Sequence, residues 1–349
     1  MRKLNFFPII IIVLLLTAAI LVCYPLTDAS DGPVYLLACS DFQAPEGHAA
    51  GAEAVSEMLS VIKEDFPAMD GFICAGDYDY DFTDSLGGIL RLRETVREAY
   101  GTQMDEIWLQ GNHDDPGMIG SYCTPSGAND TSSYGVYVIN EADYMWYNDD
   151  EETIRQTAAS LKAYLDEKRA AGYAKPIFVV SHVVLHYGMR TYWGGGDAMH
   201  ANYLFDVLNE AGNAGLNIIF LFGHNHSYRW DDYLGGASIF LTKGDSIYIA
   251  QNDVGEYREE TLAFTYMNAG YVGYYGDVPI DSVDQALTMT VFEITDTTVT
   301  IYRYDREGLH NLKSPGYQSE EYHGTAYLET DWETVSSPYI LQLNTDMKP

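Results

Sequence analysis

Basic side chains are what this sequence has least of. Its 349 residues carry 19 Lys and Arg against 51 Asp and Glu, a formal net charge of −32. With no Lys/Arg patch to track a phosphate backbone, the chain is not expected to have a nucleic-acid polymer as partner. A surface this acidic repels polyanions unless bound cations reverse the field locally. Cysteine is scarce as well, with four in all. Cys23 lies in the leader, Cys39 and Cys74 in apolar runs, and Cys123 in a Gly/Ser/Thr-rich loop. That distribution argues against a disulfide framework. No internal repeat is evident. Hydrophobic residues make up 47% of the chain, ample for a packed core, and the length suits one large catalytic domain with or without an appended region.

The chain begins Met1-Arg2-Lys3, followed by an apolar run from Phe6 to Val22 broken only by Pro8 and Thr17. These are the charged and apolar regions of a secretory signal, or a short uncleaved anchor. Thr27-Asp28-Ala29 offers a small-residue cleavage site. Val22, standing before Cys23, argues against lipid attachment there. Residues 1–29 are therefore expected to be a signal peptide or an N-terminal membrane anchor. Either places the domain outside the cytoplasm, with membrane contact only through this segment. Release or tethering stays open, as does the oligomeric state.

Past the leader, five short apolar runs stop at polar residues. Val34–Cys39 ends at Ser40-Asp41-Phe42-Gln43, Gly71–Ala75 at Gly76-Asp77, and Ile107–Gln110 at Gly111-Asn112-His113-Asp114. Ile177–Val180 ends at Ser181-His182, and Asn217–Phe222 at Gly223-His224-Asn225-His226. Segments between them carry helical periodicity, such as Ala52, Val55, Leu59, Ile62 and Phe66. Acidic residues 149–152 read as a helix start. The pattern predicts β-α-β units around a buried parallel layer. Beyond 226, alternating pieces (Ala237–Leu241, Ser246–Ala250, Leu262–Tyr266, Leu287–Ile294, Thr298–Tyr304) predict a largely antiparallel second sheet. Residues 115–150 break the rhythm and read as an insertion near the site, with one strand at Tyr134–Ile139. Residues 306–349 read as an acidic, Tyr-rich extension packed on or beside the domain.

Each of the five runs thus ends in a possible metal ligand: Asp41, Asp77, Asn112, His182, and the pair His224 and His226. In an extended segment residues i and i+2 point the same way, so both imidazoles of His224-x-His226 can face one centre. Imidazole, carboxylate and amide oxygen suit Zn, Mn or Fe rather than a thiolate site. Asp77, in mid-series, is the candidate bridge between two cations sharing a hydroxide. Calcium is excluded at Asp77-x-Asp79-x-Asp81, because an EF-hand loop needs Gly and Glu where Phe82 and Gly88 stand.

In this order the motifs resemble the calcineurin-like metallophosphoesterases over residues 34–305. The resemblance implies an α/β fold, a four-layer αββα sandwich with mixed sheets, and two metal ions at the sheet edges. It implies that Asn112, His182 and His224 bind one metal, Asp41 and His226 the other, and Asp77 both. His113 would face the substrate phosphate with Asn112, as general acid or charge stabiliser, and Asp114 would orient its imidazole. Where the family's first motif usually has His, this chain has Gln43. Gly76-Asp77-x-x-Tyr80 and Val179-x-x-His182 resemble the purple acid phosphatase branch, in which a Tyr three residues past the bridging Asp binds Fe(III). Either Tyr80 or Gln43 completes that metal site. His186 is a candidate substrate contact and Asp197 and His200 belong to a Gly-rich loop, while Tyr266–Tyr275 reads as sheet and turn surface. The activity implied is hydrolysis of phosphomonoesters through a metal-bridged hydroxide. The alternatives are a small-molecule phosphodiesterase acting on nucleotides or lipid head groups, and a catalytically weakened surface binding module.

Overall fold

The computed structural model describes residues 32–43, 49–80, 82–144, 150–186, 200–224, 240–250, 257–273, 287–305 and 338–347, with short strand pieces between 308 and 335. The leader segment 1–29, His226, Asp197 and the Gly-rich loop before it lie outside the described residues.

Among the described residues, thirteen strands and five helices run through Val34–Asp305. The strands are β1 (Val34–Cys39), β2 (Gly71–Cys74), β3 (Asp105–Trp108), β4 (Gly127–Ala128), β5 (Gly135–Ile139), β6 (Ile177–Ser181) and β7 (Ile218–Phe222), then β8 (Phe240–Leu241), β9 (Ser246–Ala250), β10 (Tyr257–Thr261), β11 (Thr265–Asn268), β12 (Met289–Ile294) and β13 (Thr298–Asp305). The helices are α1 (Ala49–Asp65), α2 (Ser85–Tyr100), the single turn α3 (Pro116–Ile119), α4 (Glu151–Ala170) and α5 (Ala201–Asn213). Local chemistry sets their ends. Asp84 caps α2 by accepting from the Gly87 amide, and Asp150 caps α4 by accepting from Thr153. Glu151 and Glu152 in the first turn of α4 and Lys168 and Arg169 in its last suit the helix dipole.

Two mixed sheets stack face to face. The first runs β3-β2-β1-β12-β13, with β1, β2 and β3 parallel and β12 antiparallel to β1. Tyr339–Gln342, from the acidic tail, adds an antiparallel edge strand on β13. The second runs β4-β5-β6-β7-β11-β8, with β5, β6, β7 and β11 parallel. Leu36, Ala38, Ile73 and Leu109 of the first sheet meet Val136, Phe178, Val180 and Leu221 of the second. The outer face of the first sheet is covered by α1 and α2 through Val55, Leu59, Ile62, Leu92 and Val96. That of the second is covered by α4 and α5 through Ile154, Leu161, Leu204 and Leu208. The layering is αββα. Each such buried aliphatic side chain contributes roughly 1.5–3 kcal/mol.

Two expectations are corrected. Among the described residues the pieces after 226 do not form one second sheet: β12 and β13 extend the first sheet, β8 and β11 extend the second, and β9 and β10 alone pair as a small antiparallel sheet of their own. Every strand buried between a sheet and a helix layer reads apolar on both faces, so hydropathy does not say which sheet it joins. Nor is 115–150 an insertion throughout. β5 is fully buried and pairs in parallel with β6, Ile139 facing Ser181, as a core strand of the second sheet.

The turns after the strands approach each other too closely for side chains. A Cβ on Gly111 would lie 2.2 Å from Asp77 Oδ1 and 2.5 Å from Asp77 N. One on Gly223 would lie about 3 Å from Ser40, Ala75 and Asp41 across the two sheets. Gly111→Ala is expected to lower the free energy of unfolding by about 1–3 kcal/mol, read by urea denaturation. An unchanged midpoint would show that the turn can open.

Candidate metal centre

The shared carboxyl edge of the two sheets holds the polar stops. Asp41, Asp77 and Asn112 follow β1, β2 and β3 of the first sheet; His182 and His224 follow β6 and β7 of the second. Three of these turns hold non-glycine residues in the left-handed region: Asp41 (φ 55°), Asp77 (φ 60°) and His224 (φ 64°). Such conformations cost of order 1–3 kcal/mol each and persist only where the surroundings over-determine them. Here backbone bonds do so. Asp41 N–H donates to Gly76 O at 2.9 Å, and Gly223 N–H to His182 O at 3.1 Å.

Four residues converge in one buried place. Asp77, His182 and His224 each offer a ligand atom, all within 4.8 Å of one another. Asn112 Oδ1 sits between the imidazoles, 2.8 Å from His182 Nε2 and 2.7 Å from His224 Nδ1. His182 Nδ1 lies 2.7 Å from Ala75 O, a carbonyl that accepts the Nδ1–H and turns Nε2 toward the centre. His182 Nε2 is also 3.3 Å from Asp77 Oδ2. A borderline cation such as Zn or Mn fits this set of two imidazoles, a carboxylate and an amide oxygen.

Asp41 is buried beside them, and both its oxygens accept the His224 amide, at 3.1 and 3.0 Å. It clamps the β7 turn onto the β1 turn. The structure thus brings together Asp41, Asp77, Asn112, His182 and His224, while His226 is not among the described residues.

The pattern's two departures resolve differently from their reading in the sequence. Gln43 is buried and reaches Asp77, but as a donor: its Nε2 donates to Asp77 Oδ2 at 2.7 Å. Tyr80 is 46% exposed and its ring stacks on His113, with centroids 5.7 Å apart and planes at 12°. A phenolate bound to a buried ion would be buried with it, and here the Tyr80 ring stands outside the buried cluster as a partner of His113. His113 N–H donates to Asp77 Oδ1 at 2.8 Å, and its Nδ1 lies 2.6 Å from Tyr80 O. Asp114 therefore does not orient that ring. Its carboxylate accepts backbone amides from Asp77 (3.0 Å), Tyr78 (2.8 Å) and Gly111 (2.8 Å), tying the β2 and β3 turns together. His186, the candidate substrate contact, is buried against Phe222 and Tyr266, with Nδ1 2.8 Å from the Tyr266 hydroxyl. His200 stands before α5, 8% exposed and stacked on Tyr203.

One carboxyl was missed. Glu141, 8% exposed, follows β5 at the same edge. The register that pairs Ile139 with Ser181 sets it beside the His182 turn. The signal was present, since an apolar strand ending in Asn140-Glu141 repeats the pattern of the other five. Reading 115–150 as an insertion hid it.

Burial dominates the electrostatics. It pushes the Asp41 carboxyl up to about 7 and Glu141 up to about 7. Burial opposes the charge on His182, yet the Asp77 carboxylate, with help from Asp41, raises it to about 10. Asp77 goes the other way: burial alone would raise it, but His182 and then His113 hold it below the usual carboxylate range. A proton on His182 thus does part of what a cation would do.

No family model matches the sequence, and no curated protein matches it. Among solved structures, the fold is similar to a dimetal phosphatase from Danio rerio, at 9% identity and a TM-score of 0.48 over 80% of this chain and 98% of that one. It is also similar to a purple acid phosphatase from yellow lupin seeds, at 14% identity and a TM-score of 0.49 over 80% of this chain and 52% of that one. A third is GAP50, the anchor in the inner membrane complex of Plasmodium, at 10% identity and a TM-score of 0.47 over 86% and 90%. Likenesses this distant assign no residue and no activity.

Asp41, Glu141 and His182 all have folded-state values above their ordinary 3.8, 4.5 and 6.5. The folded state therefore binds more protons than the unfolded one between about pH 4 and pH 10, and stability falls as pH rises through that window. Asp77 titrates below it; His186, which burial holds down to about 3, opposes the trend up to about pH 6.5 but is one group against three. Metal-free protein is expected to have a lower Tm at pH 8 than at pH 5, and Zn²⁺ or Mn²⁺ to raise Tm more at pH 8, in a thermal melt series. An equal metal shift at both pH values would remove the charge account. For Tyr80, iron-loaded protein is expected to lack a tyrosinate–Fe(III) absorption band, and Tyr80→Phe to keep its metal content. A visible band lost in that variant would return Tyr80 to the ligands.

Proposed function

We propose that the chain is an exported, metal-dependent phosphoesterase that hydrolyses phosphomonoesters. The observation that carries the reading is the buried convergence of Asp77, Asn112, His182 and His224 within reach of one ion, with His113 at its rim. These four would hold one cation, and Asp41, Asp77 and His226 a second. Bound there, the cations would supply phosphoryl charge neutralisation and water activation. Fe, Zn and Mn all suit the donors.

The chain's own residues do the rest. Asp77 is fixed by the His113 amide and by Gln43, so its carboxylate keeps one orientation when substrate enters. Ala75 O holds His182 with Nε2 inward. Tyr80 O occupies His113 Nδ1, leaving Nε2 to face the leaving-group oxygen as proton donor or charge stabiliser. Burial of the cluster excludes bulk water and strengthens each of these interactions. A chain with so few basic side chains has little to hold a long anion, which favours a compact phosphoryl group over a polymer. The leader Met1–Val22 supports export. One observation favours a second reading, a surface binding module with weakened turnover: Gln43 donates to Asp77 where a ligand was expected.

His113→Ala is expected to lower kcat on p-nitrophenyl phosphate by about 10²–10⁴-fold with metal content retained, whereas His224→Ala loses metal as well. A strong preference for bis(p-nitrophenyl) phosphate would support a phosphodiesterase instead. If wild type and His113→Ala were equally inactive with Fe, Zn and Mn, the binding-module reading would stand.

A further inference from the structure

The five large apolar side chains left most exposed among the described residues are Tyr80, Phe82, Leu90, Met118 and Ile340. Two of them stand on the turn beside His113. Phe82, 51% exposed, stacks on the His113 imidazole with centroids 5.4 Å apart and planes at 26°, as Tyr80 does at 5.7 Å and 12°.

A single exposed Phe is ordinary on a protein surface. This one is not placed casually. Its φ is 66°, a conformation that a bulky residue avoids. The buried Asp79 carboxylate holds the turn by accepting the Tyr80 amide at 2.8 Å and the Asp84 amide at 2.6 Å. A strained, clamped turn thus keeps two rings in water, against the residue that faces the leaving group.

We propose that Tyr80 and Phe82 form a leaving-group subsite that selects phosphoesters bearing an aromatic ring, a proposal resting on the phosphoesterase reading of the same centre. The phosphoryl group would sit at the metal-ligand cluster, and its ester substituent would extend past His113 to the rings. Ring stacking adds selectivity beyond area burial, enough for about fivefold to tenfold in affinity.

The test is calorimetric binding of two non-hydrolysable probes, phenylphosphonate and n-butylphosphonate, to metal-loaded protein. Wild type is expected to bind the phenyl compound about fivefold to tenfold more tightly. Phe82→Ala should bring the ratio of affinities near one, and Phe82→Trp should restore it. Because Phe82 is half exposed, its substitution does not open the core. Equal affinities in wild type, or a ratio unmoved by Phe82→Ala combined with Tyr80→Ala, would overturn the subsite while leaving the phosphoesterase reading in place. Binding of neither phosphonate would overturn both.

Discussion

The structure depends on one carboxylate held where a carboxylate should not be. Asp77 is buried between two sheets, at the end of a strand with apolar neighbours on both sides. An ionised carboxylate in that setting is tolerated only if several groups compensate it. Here they come from every direction: the His113 amide on Oδ1, Gln43 on Oδ2, His182 at 3.3 Å, and a backbone turned at φ 60° to aim it. The glycines follow from the same demand. Gly111 has no side chain because Asp77 Oδ1 occupies the place of its Cβ. Asp114 is buried for that reason too, since three amides freed by the sharp β2 and β3 turns need an acceptor.

Much of this was legible in the residues. Each apolar run that stops at Asp, Asn or His marks a strand end, and the strands all stop at one edge because parallel strands linked by helices share a direction. β1, β2, β6 and β7 emerged within a residue or two of their expected bounds, and the αββα layering implied by the family resemblance is the layering found. What the residues could not carry was partnership. Whether Met289–Ile294 lies beside β1 or in a sheet of its own is decided by contacts some 250 residues apart in sequence, about which local hydropathy is silent. The same limit applies to side chains. Asp114 beside His113 suggests a pair, yet neighbours in a tight turn point apart, and Asp114 faces backward to the amides while His113 faces out.

The charge balance explains why so acidic a chain can build such a centre. Lys or Arg could have neutralised Asp41, Asp77 and Glu141, but a fixed cation in the pocket would occupy the place of an exchangeable one. Imidazole is the compromise. His182 can carry a proton when the pocket lacks an ion and give it up when one enters, since a ligating nitrogen must be deprotonated. Its Nε2 already faces Asn112 Oδ1 and Asp77 Oδ2, so losing that proton needs no rearrangement of the backbone that aims it.

Gln43 and Tyr80 then fit one physical picture rather than two. A His at position 43 would place another positive or ligating group on Asp77; Gln places a neutral donor there, which orients the carboxylate without competing for an ion. Tyr80 is thereby released from the interior. Its backbone carbonyl fixes His113, and its ring, like that of Phe82, stacks on that imidazole. Asp77 and Tyr80, three residues apart, serve opposite sides of the same turn. The first gives the interior a negative charge that demands a cation, and the second gives the rim an apolar face. The phosphoester with an aromatic leaving group that we propose would meet both.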